Sequence, residues 1–266
     1  MKPVKLLSIS AGILLAIGSL SALAADNDAS VNQQGNHNRA GVTQMGAGNF
    51  QRTYQAGNQN TSRSYQQGVE NTQVTSQSGN QNDAYSFQTG RNNESTVRQS
   101  GNNNDAVARQ DGSDNVQSLS QNGNHNSAEA TQYGDDNALR GAQNGNDNRL
   151  VASQSGNGNE GSIHQNGNHN DARLMQRGSD NDAYMSQTGN NNSGEINQLG
   201  DGNTASMAQT GNMNSSLINQ MGMDNLARSV QIGNQNAATI NQFGSGDQAH
   251  VHQNGNHNNA HISQGN

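Results

Sequence analysis

Gln33-Gln34-Gly35-Asn36-His37-Asn38-Arg39-Ala40-Gly41-Val42-Thr43-Gln44 decides the fold, because the chain repeats this frame to its last residues. Gln returns every eleven residues from Gln33 to Gln264, 22 times, without insertion or deletion. Gly stands two residues after each Gln, from Gly35 to Gly255. Asn stands five residues after, from Asn38 to Asn258, with Asp247 as the one departure. A period this strict marks an array whose units stack on their neighbours and cannot bury an inner face alone.

Counting back from each Gln, the residues at −6, −4, −2 and 0 share one parity, so in an extended segment they share one face. They are Asn, a small residue, an aliphatic or small residue, and Gln: Asn38, Ala40, Val42, Gln44 early on, and Asn236, Ala238, Ile240, Gln242 late. The intervening positions carry Arg, Glu, Tyr, Ser, Thr and His, an alternation that reads as a strand with one face inward. Eleven is odd, so an unbroken strand would send successive glutamines to opposite faces. The Gly-x-x segment after each Gln is the candidate for the phase shift, because Gly tolerates positive φ. A strand of about six residues, a turn and another strand are expected.

The true unit is twice eleven. The residue after the Gly is Asn in every second repeat, from Asn36 and Asn58 to Asn256, whereas in the others it runs Ala47, Val69, Arg91, Ser113 and onward, with Asn only at Asn157. The expectation is therefore an all-β, cross-β solenoid of about eleven 22-residue coils, each with two strands and two unlike turns. Residues 22 apart then lie about 4.8 Å apart, and eleven coils make a rod roughly 50 Å long. Gln33 sits under Gln55, and Asn36 under Asn58. The expected ladder comprises Gln33, Gly35, Asn38, Gln44, Gly46, Asn49, Gln55, Gly57 and Asn60. It continues through Gln154, Gly156, Asn159, Gln165, Gly167, Asn170, Gln231, Gly233, Asn236, Gln253, Gly255 and Asn258. A buried amide left unpaired costs roughly 1–3 kcal/mol, so each misregister is penalised. Gln51, Gln73 and Gln117 replace the small residue at −4, and coils in the N-terminal half are expected to be looser for it.

Composition agrees with an array rather than an oily globule. Only 28% of the chain is hydrophobic. Such a composition by itself reads as disordered polar sequence, but disorder needs no register. Lys2 and Lys5 followed by an apolar run ending in Ala22-Leu23-Ala24 read as a secretory signal over 1–24, with a short leader at 25–32 and the repeats over 33–266. No integral membrane segment is expected after signal removal. Both lysines fall in the signal, so the 11 arginines that follow face 20 acids. That balance offers no basic stripe for nucleic acid. There is no Cys, and no Pro beyond Pro3 to interrupt a strand ladder.

The frame Gln33, Gly35, Asn38, Ala40, Gln44 resembles the curlin repeat, and the resemblance runs along the whole chain after the signal. It implies a secreted structural subunit of curli-type functional amyloid, the major subunit or the nucleator, that forms extracellular cell-surface fibres for adhesion and biofilm matrix. The partners it implies are copies of itself, the other curlin subunit, and an outer-membrane secretion pore with its accessory proteins. Many relatives have about five 22-residue repeats and a longer Gly-rich leader; this chain has about eleven repeats.

No catalytic residue, cofactor or metal site is expected, and the chain does not read as an enzyme. Gly156-Asn157-Gly158-Asn159-Glu160-Gly161 matches a dinucleotide fingerprint but lacks its strand–helix context. Asn60-Thr61-Ser62 is a formal glycosylation sequon, discounted in a secreted chain of bacterial style. The turns lack the nine-residue Gly-Asp pattern of calcium β-rolls. His250, His252, His257 and His261 are read as exposed polar residues in preference to metal ligands. Asp114, Asp136, Asp180 and Asp224 share one turn type and, stacked, would repel. Arg52, Tyr54, Arg63 and Tyr65 suggest an outer basic-aromatic patch, and the mixed residues before each Gln give no flat Thr ladder of an ice-binding kind. The domain reading has a direct check: N-terminal sequencing of exported chain should begin at Ala25, and a start at Met1 would contradict it.

Overall fold

The computed structural model describes residues 26–265 and the short strand β1 (Ala16–Ile17). The signal's charged start and its cleavage site lie outside the described residues. From β2 (Asp28–Gln34) and β3 (Arg39–Ala47) to β22 (Gln248–Asn254) and β23 (Asn259–Gly265) the chain is all β, and no helix occurs among the described residues. Even-numbered strands form one sheet of eleven and odd-numbered strands a second sheet of twelve, and every pairing is parallel. From β2 onward partners lie 22 residues apart: Gln33 against Gln55, Gly123 against Gly145, Gln242 against Gln264. One 22-residue coil thus contributes a strand to each sheet, and about eleven coils stack into a β-solenoid, as the period requires.

From β2 onward the strands are seven or nine residues long, longer than expected. They begin just after the frame Asn and run past the Gln, and in the nine-residue strands the pairing continues through the Gly because neighbouring corners are superimposable. The phase shift uses two positions. The frame Gly adopts φ of about 100–130°, for example 110° at Gly57 and 122° at Gly156. The fourth residue after Gln enters the left-handed region, from His37 at 58° through Met213 at 55° to His257 at 58°. Gly is required at the first position by contact as well as conformation, since a Cβ on Gly57 would run into the carbonyl oxygen of Gly79 in the next coil.

The two inner faces meet in a core whose chemistry changes along the rod. Leu139 and Leu150 at −4, and then Ile163, Leu174, Met185, Ile196, Met207, Ile218 and Ile240 at −2, are all fully buried, and from Gly161 onward Ala or Gly fills most of the −4 positions. Between residues 51 and 95 the −4 and −2 positions are, apart from Ala84, polar: Gln51, Thr53, Ser62, Ser64, Gln73, Thr75, Ser86 and Ser95, also buried. Some polar side chains there find partners: Gln51 Nε2 donates to Ser64 Oγ at 3.2 Å, and the Ser86 and Ser95 hydroxyls lie 3.0 Å apart. Others do not. Both amide atoms of Gln73 and of Gln117, with Gln51 Oε1, Ser62 Oγ and Thr75 Oγ1, are buried without a partner. A Gln fits the space of a small-plus-aliphatic pair but brings more hydrogen-bonding groups than a dry core can satisfy.

Candidate functional site: the amide ladders and the open coil edges

Every frame Gln from β2 onward joins an unbroken row. In the even sheet, Gln33 Nε2 donates to Gln55 Oε1 at 2.5 Å and Gln55 to Gln77 at 2.7 Å. The row runs on through Gln165 to Gln187 at 2.9 Å and ends with Gln231 to Gln253 at 2.9 Å. In the odd sheet it runs from Gln44 to Gln66 at 2.8 Å, through Gln154 to Gln176 at 2.8 Å, to Gln242 and Gln264 at 3.1 Å. The second N–H is also used. Gln121 Nε2 donates to the Asp105 carbonyl oxygen at 2.8 Å and Gln154 Nε2 to that of Ala138 at 2.9 Å, so each amide ties its own sheet to the opposite one.

The frame asparagines form two further inner rows. Asn60 Oδ1 accepts the backbone N–H and Nδ2–H of Asn82 at 3.1 and 3.0 Å; its own Nδ2 donates to Asn38 Oδ1 at 3.1 Å and to the Gly79 carbonyl at 2.8 Å. Asn49, Asn159, Asn170, Asn236 and Asn258 repeat the pattern. Each bond pins the corner where Gly35, Gly46, Gly57, Gly156, Gly167, Gly233 or Gly255 turns the chain. The residue after the Gly makes an outer row at one corner, from Asn36 donating to Asn58 at 3.2 Å to Asn234 donating to Asn256 at 3.1 Å.

The side-chain rows are directional. Gln amides donate to the Gln of the next coil, whereas inner Asn amides donate one N–H to the Asn of the previous coil and the other to a Gly carbonyl of the next. Among the described residues, the C-terminal edge therefore presents unused N–H donors at Gln253 and Gln264 and an unused acceptor at Asn258. The N-terminal edge presents unused acceptors at Gln33 and Gln44, with the short β1, which lies within the expected signal, paired against β3 at Gly41 and Val42. The two edges are complementary to each other, and neither is complementary to itself.

Other positions singled out from the sequence fall as follows. Arg52 and Tyr54 lie on β4 (Phe50–Asn58) of the even sheet, whereas Arg63 and Tyr65 lie on β5 (Thr61–Val69) of the odd sheet. The expected basic-aromatic patch is therefore split between the two outer faces, because an offset of eleven crosses the solenoid and only an offset of 22 stays on one side. What the odd face does hold is a stack: the Tyr65 and Phe87 rings are 4.8 Å apart and parallel within 3°, with the Arg109 guanidinium 5.8 Å from the Phe87 ring centre. Those ring faces cover each other, leaving mainly edges to solvent.

Gly156 to Gly161 spans a corner between strands and opens no helix. The His250 and His252 rings stack at 6.5 Å, while His261 lies on the other sheet, so the four histidines do not converge. Asp114, Asp136, Asp180 and Asp224 occupy left-handed positions in one corner row, with Gly158 and Gly202 spacing the last three apart. Two strand carboxylates hold their protons more tightly than usual: Asp105 through burial and then the charges of Asp83 and Glu129, and Asp182 through burial and then Glu160.

The ladder and the polar core make opposite demands on the same residue type. Gln121→Leu would leave Gln143 Oε1 without its donor and remove one partner each from Gln99 Nε2 and the Asp105 carbonyl, and should cost roughly 1–3 kcal/mol. Gln73→Leu removes two buried groups that have no partner and should stabilise by about 1–3 kcal/mol. Thermal melts of the two variants against the parent chain check both signs.

The curlin associated repeat matches the chain seven times, over residues 24–50, 70–101, 145–174, 156–189, 170–200, 189–222 and 233–265. No curated protein matches the chain as a whole. The matches fall on the stacked Gln-Gly-Asn frame described above and together span more than half of the sequence, and the chain belongs to the curlin associated repeat family.

Proposed function

We propose that the chain is an exported structural subunit that polymerises end to end into extracellular curli-type amyloid fibres, serving surface adhesion and biofilm matrix. Curlin repeats belong to structural amyloid subunits, and the fold gives that role a physical basis. The observation that carries it is the complementarity of the two coil edges. A sheet edge recruits further strands unless it is blunted by charge, Pro or a covering element, and solenoids that stay monomeric cap their ends with atypical repeats. Here the last described coil keeps the frame at Gln253 and Gln264, and the first keeps it at Gln33 and Gln44. A second copy added in the same direction extends both sheets and all the inner rows, whereas one added in the opposite direction sets donor against donor.

In this reading the signal over 1–24 directs export, and a curli-type outer-membrane pore and its accessory proteins deliver the chain to the cell surface. The regularity of the repeats favours the major subunit over the nucleator. The acidic corner row, spaced by glycines, slows self-association until the chain is outside. The fibre is a structural element, and its ladders contain no converging acid, base or nucleophile.

Purified chain lacking the signal should assemble after a lag that preformed fibres abolish. The product should bind thioflavin and diffract at about 4.8 Å along the fibre axis. Chain that stays monomeric for days, without thioflavin response, would sink the proposal.

A further inference from the structure

At the corners of the odd sheet, two rows begin at the N-terminal edge with Asp26 and Asn27 and end at the C-terminal edge with Gly246 and Asp247. Asn27 is already a full member of the inner Asn row. Its Oδ1 accepts the N–H and Nδ2–H of Asn49 at 2.9 and 3.1 Å, and its Nδ2 donates to the Gly46 carbonyl at 2.9 Å. The row runs coil by coil to Asn225, whose Oδ1 accepts the Asp247 N–H at 3.0 Å. Asn225 gives its own Nδ2–H groups to Asn203 Oδ1 and the Gly244 carbonyl. Asp247 has no such hydrogens to give, and its Oδ2 is buried without a donor. Within one chain this substitution only loses bonds. It is also the sole departure from Asn in the frame, and it sits on the last described coil of that row.

The adjacent row carries a second mark at the same place. Asp26 has φ 65°, the left-handed conformation of Asp224 at 56°. Within this row Gly158 precedes Asp180 and Gly202 precedes Asp224, and a Cβ on either glycine would meet the next carboxylate oxygen at 2.6 or 2.5 Å. Gly246 follows Asp224 in the row, and the equivalent space beside it is open.

We propose that the C-terminal edge seats the N-terminal edge of a second copy of this chain in a register selected by Asp247. In that register Asn27 of the second copy donates its backbone N–H and one Nδ2–H to the Asp247 carboxylate, and Asp26 of the second copy occupies the space beside Gly246. Gln253 then donates to Gln33 of the second copy, and β22 pairs with its β2. A charged acceptor makes a stronger bond than the Asn it replaces, so the bonds lost within the chain are offset by stronger ones to the second copy, made by the carboxylate oxygen that is not buried. The alternation of Asp with Gly along the corner also continues across the junction, keeping like charges two coils apart. This inference rests on the polymerising reading above and adds to it the residues that choose the junction.

The test is seeded elongation on wild-type fibre ends, using chain without its signal, followed by thioflavin fluorescence, with circular dichroism confirming equal β content. Asn27→Asp sets carboxylate against carboxylate and should slow sustained elongation by about tenfold or more. Asn27→Asp combined with Asp247→Asn removes the carboxylate pair without restoring the Nδ2–H donor, and should recover at least about threefold of the lost rate. Asn27→Asp elongating at the wild-type rate, or a double variant as slow as the single one, would overturn the latch while leaving polymerisation standing. Failure of the wild-type chain to elongate on any seed would overturn the polymerising reading and the latch together.

Discussion

A primary amide has hydrogens on one side and a lone-pair oxygen on the other, and a stack of such groups can be satisfied only if all of them point the same way. Everything else in this chain follows from that constraint. Gln Nε2 groups reach the Gln of the next coil and Asn Nδ2 groups reach the Asn of the previous one, each at ordinary hydrogen-bond length. Any insertion would break a bond in every row it crossed, with a cost of roughly 1–3 kcal/mol per orphaned group. The interior is held by a direction-dependent polar lattice, supplemented by apolar packing that strengthens from Leu139 onward. Such a lattice stabilises one register and leaves both ends unfinished.

The sequence made the solenoid legible because period and parity are geometric facts. The spacing of Gln33, Gln55 and Gln77 sets the coil, and the alternating Asn36 and Ala47 positions set its two corners. What stayed hidden lies in conformation and in sidedness. The left-handed residue four places after each Gln is most often Gly, Asn, Asp or His, types that tolerate that conformation. At Glu70, Met213 and Gln235 composition carries no such signal, and the stacked corners on either side impose a conformation these residues would not choose. Strand length was underestimated for a related reason: a Gly at positive φ usually ends a strand, but identical corners above and below let pairing pass through it. The Arg52, Tyr54, Arg63 and Tyr65 cluster failed on sidedness, since neighbours in the eleven-residue frame face opposite ways.

The ladder residues were legible as to type and spacing, yet nothing in the frame announces how their donors are shared. The bonds from Gln Nε2 to the opposite sheet, and from Asn Nδ2 to the carbonyl of a Gly nineteen residues on, are properties of the closed coil. The significance of Asp247 was equally inaccessible. As a single departure in a long row it reads as noise until the fold places it at an edge with an oxygen lacking a partner. The polar segment from Gln51 to Ser95 and the apolar one beyond Leu139 also show that one frame can run on two kinds of core. The rows keep register throughout.

The central claim is that the frame amides are buried and bonded from coil to coil. Hydrogen exchange of Gln and Asn side-chain NH2 groups, resolved by NMR on the assembled protein, tests it most directly. The NH2 groups of Gln121, Gln154, Gln187, Asn126 and Asn159 should exchange as slowly as the backbone amides of their strands, while exposed Asn122 and Asn254 exchange at solvent rates. Rapid exchange at the frame positions would mean that those amides face water, and the lattice described here would not exist.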